Sequence, residues 1–384
     1  MNNYINALAP EQTSTSDTPL ARDNETPIKQ ETLENMMKNV MKKQTNGLRL
    51  ALVAVLLFCM TVQPANACTR LLYETGTGTY ITARSMDWVD PELTSDLWVF
   101  PQGIERKGGG SDNELTWTSK YGSVITAFYG TASADGMNEK GLVGNMQYLT
   151  EADFGDPAKT GKPTISIGAW LQYFLDNYAT VEEAVAAMQD APFTVVTKPV
   201  ENGMAAKIHM AISDATGDSA IFEYLDGKLV IHHGRQYVVM TNSPIYSEQL
   251  ALNAYWEKAG GENFLPGTAS ATDRCVRASY YLKTMKKQED RKLALATVFS
   301  LIRGVSAPIS SANGVETLWR SVADHDAKTY YFDSAVSPSV FWIDLNKVDF
   351  KLGAKAMTLK VSKDNPLAGE VSSQLKEAEP FEFL

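Results

Sequence analysis

Cys68 stands where a cut in the chain would create a catalyst, because the residues before it read Ala65-Asn66-Ala67, the small-x-small pattern that signal peptidases cleave. Cleavage between Ala67 and Cys68 would place a thiol and an α-amine on one residue. An α-amine of reference pKa about 7.7 to 8.0 can take the proton of a thiol of reference pKa about 8.5, so nucleophile and base would arrive together. Downstream, Ala83-Arg84-Ser85-Met86-Asp87-Trp88 offers a guanidinium to favour the thiolate and a carboxylate to orient the α-ammonium. Asn242, after a strand-like run, offers an amide N–H of the kind that stabilises an oxyanion. Arg274 adds positive charge near the start of an amphipathic helix, and Met86, Trp88, Tyr148 and Leu149 supply apolar surface for an acyl group. The chemistry these types can do is acyl transfer through a thioester. Plainer readings exist: Arg84 and Asp87 as a surface ion pair, Asn242 as a turn former before Ser243-Pro244, Arg274 as a solvated face, the aromatics as core.

The segment before the cut has the parts of a secretory leader. Met41-Lys42-Lys43 and Arg49 give a basic start, and residues 50–62 are an apolar run too short to span a bilayer comfortably. Residues 1–40 are polar and acidic and fit disorder, as an extended leader or a start assigned too far upstream, with Met36, Met37 and Met41 as alternatives. The expected organisation is therefore 1–40 leader extension, 41–67 signal peptide and 68–384 one large domain.

The chain has 384 residues, 44% hydrophobic, and a net charge of -10. Residues 1–67 hold six Lys/Arg and six Asp/Glu, so residues 68–384 keep that charge, which argues against a nucleic-acid partner. Of three cysteines, Cys59 falls in the leader, leaving Cys68 and Cys275. A disulfide between them would consume the thiol that the cut exposes. His209, His232, His233 and His325 lack the spacing of a metal hydrolase, so no metal or other cofactor is expected.

The elements that must position these residues read as follows. Residues 70–74 and 80–85 form a hairpin about Thr75-Gly76-Thr77-Gly78, which folds Arg84 and Asp87 back toward Cys68. Strands follow at 97–100, 123–129 and 142–149, with Gly108-Gly109-Gly110 as an exposed loop and residues 136–141 as a turn. Apolar spacing predicts a helix over 165–178, and the pair Thr180 and Glu183 is a capping box for the next, through Met188. Strands are expected at 208–214, 219–224, 228–232 and 237–241, with Asp226-Gly227 as a hairpin turn. Helices at 246–258, 273–285 and 291–303 precede strands at 319–324, 329–334 and 340–344. Runs of strands and paired helices with little βαβ rhythm predict an α+β fold of antiparallel sheets covered by helices.

From Cys68 to about Leu345 the sequence resembles the choloylglycine hydrolase family, the N-terminal-nucleophile amidases that include penicillin V acylases and conjugated bile salt hydrolases. The resemblance rests on Cys68-Thr69-Arg70, then Arg84-Ser85-Met86-Asp87-Trp88, Asn138-Glu139-Lys140-Gly141-Leu142, Thr241-Asn242-Ser243-Pro244, and the segment from Leu265-Pro266-Gly267 to Asp273-Arg274-Cys275-Val276-Arg277. It implies a four-layer αββα sandwich, Cys68 as nucleophile, Asn242 and the neighbourhood of Tyr148 as oxyanion donors, Arg274 as the family's arginine, and a homotetramer. Tyr148, where bile salt hydrolases often carry Asn, and the short stretch before Arg274 are similar to the Gram-negative branch. The expected substrate is then a linear amide with an apolar acyl half, such as penicillin V or an acyl-homoserine lactone, with a conjugated bile acid as the alternative. A different class stays open, a periplasmic binding or structural protein anchored by lipid on Cys68, although Ala65 and Asn66 fit a lipidation site badly. The expected location is the periplasm or the medium.

Overall fold

Alternation along the first two strands sets the layers. Strand β1 (Thr69–Glu74) turns Leu71 and Tyr73 to one face, while Arg70 points the other way and donates to the carbonyls of Tyr237 and Ile212 at 3.0 and 3.5 Å. Its antiparallel partner β2 (Tyr80–Trp88) follows the Thr75–Gly78 reversal, where Gly78 takes the left-handed φ of 78°. The hairpin expected from the sequence is present, and β1 is an interior strand.

The computed structural model describes residues 68–383 apart from 111–112, 198–205, 262, 311–314, 363 and 365. The leader expected over residues 1–67 lies outside them. One sheet has seven strands in the order Val239–Thr241 (β4), β1, β2, Glu316–Asp324 (β5), Thr329–Ser334, Val340–Asp344 and Gly369–Glu370. The other has nine, in the order Lys228–His233, Ser219–Leu225, Ile208–Ser213, Val143–Tyr148 (β3), Ala132–Asn138, Ser123–Phe128, Leu97–Phe100, Met357–Leu359 and Lys376–Glu377. Within these two sheets pairing is antiparallel except at the Val340–Asp344 edge of the first.

Three apolar layers separate four layers of structure. Cys68, Met86, Trp319 and Phe332 of the first sheet meet Val99, Val124 and Val143 of the second. The outer face of the second sheet packs on helices α1 (Ile167–Asn177) and α2 (Val181–Met188) through Trp170, Phe174 and Phe222. The outer face of the first packs on α4 (Ala271–Thr284) and α5 (Arg291–Gly304) through Leu71, Ala83, Ala278 and Val298. A further helix, α3 (Tyr246–Ala259), follows β4. This is the expected αββα sandwich, and the described residues form one compact unit.

Local differences from the sequence reading have physical reasons. The predicted helix over 165–178 begins only at Ile167, because Thr164–Ser166 pairs in parallel with Thr194–Val196. The triple glycine is not an exposed loop: Gly108 and Gly110 are buried, and a Cβ at Gly110 would lie 2.4 Å from Thr164 Oγ1. Gly136 belongs to a strand rather than to the turn, in a place where a Cβ would meet Ile125 and Val124. The turn itself is organised by Asn138, whose Nδ2 donates to the carbonyls of Leu175 and Tyr178 while its Oδ1 accepts from Lys140 and Leu142.

Candidate active site

The β1–β2 register pairs Thr69 with Ser85 and Arg70 with Arg84, so Cys68, Arg84 and Met86 share the face between the sheets. The Cys68 sulfur lies 3.4 Å from the backbone N–H of Asp87, which donates to it, and 3.9 Å from Arg84 Nη2. The same Nη2 donates to the carbonyl of Met146 at 2.8 Å and meets the Met86 sulfur at 3.3 Å, and the guanidinium stacks over the Trp319 ring at 4.6 Å. Arg84 is thus tied to β3 across the interior and cannot swing away from the sulfur. Cys68 is buried, which pushes its thiol pKa up, and the Arg84 charge opposes that shift.

Asp87 turns its carboxylate to the opposite face of the sheet. Arg274, in the first turns of α4, donates to one oxygen, and Thr317 of β5 donates to the other. Burial raises the Asp87 pKa, and the Arg274 guanidinium pulls it back down. Thr317 escaped the sequence reading because its strand was predicted to begin at 319, whereas β5 begins at Glu316. Thr317 is polar and its neighbour Leu318 apolar, and the register shifts between Thr317 and Trp319, so no hydrophobic alternation marked it.

Thr241 at the end of β4 pairs with Thr69, so one further step along the antiparallel ladder sets Asn242 beside Cys68. The next residue binds the loop after β3: Ser243 Oγ accepts from the Thr150 N–H at 3.2 Å and donates to Glu151 at 2.8 Å. Tyr148, half-buried at the end of β3, belongs to the strand segment that this contact holds near Asn242. The structure therefore gathers Cys68, Arg84, Asp87, Arg274 and Asn242 around one end of β1, with Tyr148 on β3 of the facing sheet.

The proposed acyl surface needs a correction. Leu149 is fully buried in the cluster with Trp170 and Phe174, under the helices of the second sheet, so it is core and not a substrate contact. Met86 is buried beside Cys68, whereas Trp88 is half-buried at the end of β2. Its ring stands edge-on to Phe128 at 5.1 Å, and its Nε1 donates to the Tyr129 hydroxyl at 3.2 Å. Phe128 and Tyr129 were missed because a strand end gives no sign of which aromatic it will face.

Cys275 and Cys68 are both free thiols. Cys275 is buried with its pKa pushed up to about 12 by desolvation, the environment of an inert sulfur. Among the described residues no group of three or more His, Cys, Asp or Glu is arranged to hold a metal ion, and no helix is long and apolar enough to cross a membrane.

Residues 68–359 match the family model for linear amide C–N hydrolases, choloylglycine hydrolase family. The chain is similar to the penicillin V acylase of Pectobacterium atrosepticum, 44% identical over 91% of this chain and 99% of that protein. The solved structure of penicillin V acylase from Agrobacterium tumefaciens superposes with a TM-score of 0.76 at 47% identity, covering 83% of this chain and 99% of that one. The bile salt hydrolase/transferase of Clostridium perfringens is 27% identical over 77% of this chain and 97% of that protein.

Proposed function

This chain belongs to the choloylglycine hydrolase family and is a hydrolase of linear amide C–N bonds, and from that premise we propose that it is an exported N-terminal-cysteine amidase of the penicillin V acylase type. The observation that carries the mechanism is the Cys68 sulfur lying between the Arg84 guanidinium and the Asp87 main chain, at the residue that a cut after Ala67 would make the first. The Cys68 thiol gives its proton to its own α-amine and attacks the amide carbonyl carbon. Asn242 and the Tyr148 neighbourhood donate hydrogen bonds to the oxyanion. The C–N bond then breaks as the α-ammonium returns the proton to the leaving nitrogen, which leaves a thioester on Cys68. Water adds to the thioester carbonyl, the acid departs, and the thiol is restored. Arg84 favours the thiolate, while Arg274 and Thr317 hold Asp87, and Asp87 orients the amine.

The substrate that fits best is an amide with an apolar acyl half, either penicillin V or an acyl-homoserine lactone, held against Met86 and Trp88. The 44% relative supports this choice, and the more distant bile salt hydrolase relative supports a conjugated bile acid as the second reading. Assembly as a homotetramer and residence in the periplasm or the medium belong to the same proposal. A non-enzymatic anchor built on Cys68 is set aside by membership in a hydrolase family.

One experiment tests the reading. Intact-mass and N-terminal analysis of exported protein should give a chain beginning at an unmodified Cys68, and that protein should release products from penicillin V or acyl-homoserine lactones faster than from glyco- or tauro-conjugated bile acids. A mature chain beginning elsewhere, or a lipidated Cys68, refutes the mechanism. Faster bile-acid hydrolysis refutes the substrate assignment alone.

A further inference from the structure

Helix α3 buries only Tyr246 and Gln249, while its neighbours Glu248 and Leu250 are exposed. A buried amide on the inward face of a helix calls for a reason, since an apolar residue would ordinarily fill that place. The reason lies in its bonds. Gln249 Nε2 donates to the carbonyls of Thr241, Asn242 and Pro244 at 3.0, 2.9 and 2.7 Å. Its Oε1 accepts from the Thr241 N–H at 3.0 Å and the Thr241 hydroxyl at 3.2 Å. Two amide protons are shared among three carbonyls, and the orientation is fixed because carbonyls need the nitrogen and the backbone N–H needs the oxygen.

These carbonyls belong to the segment that presents Asn242. On one side Thr241 is held by the ladder to Thr69, and on the other by Gln249. The helix that carries Gln249 is itself anchored. Ile245 offers its N-terminus no side-chain cap, and Glu223 from the second sheet accepts from the Tyr246 N–H at 3.0 and 3.1 Å instead.

We propose that Gln249 is a positioning residue for the amidase reaction: it clamps the main chain of residues 241–244 so that the Asn242 amide is fixed in place before a carbonyl becomes tetrahedral at Cys68. The inference rests on Asn242 as oxyanion donor. It is distinct from stability alone, because a donor that must be re-aimed in each turnover costs rate in the transition state and little in ground-state binding.

The test compares Gln249→Met, which keeps the length and removes all five bonds, with Gln249→Glu, which keeps the acceptor to Thr241 and removes the donors. Rates are taken per folded molecule, with the folded fraction read from circular dichroism and thermal melts, and Gln249→Glu serves if Gln249→Met does not fold. The expected result is a kcat lowered roughly tenfold to hundredfold with KM changed less than about threefold. Asn242→Ala alone should lower kcat by roughly 10² to 10³, and adding Gln249→Glu to it should change little further, because Gln249 acts through Asn242. Wild-type kcat in both Gln249 variants, or losses that multiply in full in the double variant, overturns the proposal while leaving the oxyanion reading intact. Wild-type kcat in Asn242→Ala overturns the oxyanion reading itself, and the role of Gln249 with it.

Discussion

At the scale of single residues, burial raises the pKa of both thiols of the described chain, and what opposes it differs. Cys68 has a guanidinium 3.9 Å from its sulfur and a backbone N–H pointing at it, whereas Cys275 has only hydrogen bonds with the Thr241 and Ser279 side chains and no charge beside it. Cys68→Ser should therefore abolish nearly all amide hydrolysis without loss of fold, since a serine hydroxyl is a far poorer nucleophile at neutral pH. Cys275→Ser should keep wild-type turnover per folded molecule. Steady-state kinetics with thermal melts on the two variants decide this, and near-normal turnover by Cys68→Ser would exclude it as the nucleophile. The types at this site were legible in the sequence because a cysteine after Ala-x-Ala, an Arg and an Asp in one short strand, and an Asn ending another each carry their chemistry in the side chain. Thr317 was not legible, since a threonine in a strand looks the same whether its hydroxyl meets water or a buried carboxylate.

At the scale of elements, β2 divides its side chains between two layers. Arg84 and Met86 face the second sheet, and Asp87 faces α4, so the carboxylate depends on Arg274 and Thr317 for its hydrogen bonds. Thr317 Oγ1 also accepts from the Ala307 N–H at 2.8 Å, which ties the segment after α5 to the same point. Thr317→Val keeps the shape and leaves both groups short of a partner. The expected cost is about 1 to 3 kcal/mol of stability, with a lower melting temperature and a lower kcat as Asp87 loses its orientation. Denaturant titration and kinetics of the variant measure both, and an unchanged unfolding free energy counts against the role given to this hydroxyl. The elements themselves were largely visible beforehand, because the strands alternate with period two and the helices carry caps, as Thr180 does for α2 by accepting from the Glu183 N–H. Strand edges that depend on a distant partner, such as Thr164–Ser166 on Thr194–Val196, gave no local sign.

At the scale of the whole molecule, the interior contains charged and titratable groups whose protonation is set by the fold. His325 lies buried between Gly141, whose carbonyl accepts from Nδ1 at 2.7 Å, and the Thr82 hydroxyl, 2.8 Å from Nε2. Desolvation lowers its pKa to about 4. The folded value lies below the unfolded value of about 6.5, so the unfolded chain binds more protons in between. The contribution of His325 is full above about pH 6.5 and is lost as pH falls toward 4, on the order of 3 kcal/mol across the window. Buried Asp87 and Asp135 have raised pKa values and act in the opposite sense, so the difference between wild type and His325→Gln isolates the histidine. That difference in unfolding free energy should shrink on acidification from pH 6.5 to 4, and a difference that is constant with pH refutes the assignment. Taken alone, the sequence determined the nucleophile candidate, the hairpin that returns Arg84 and Asp87 to it, and the layered α+β fold. These follow from side-chain chemistry, turn residues and periodicity, all of which act over short stretches of chain. Only the tertiary structure decided that Leu149 is core, that Thr317 and Arg274 share Asp87, and that Gln249 grips the Asn242 segment. Each of those depends on which residues, far apart or on facing elements, are packed together out of water, where a polar atom must find its partner and an apolar one is claimed by the nearest layer.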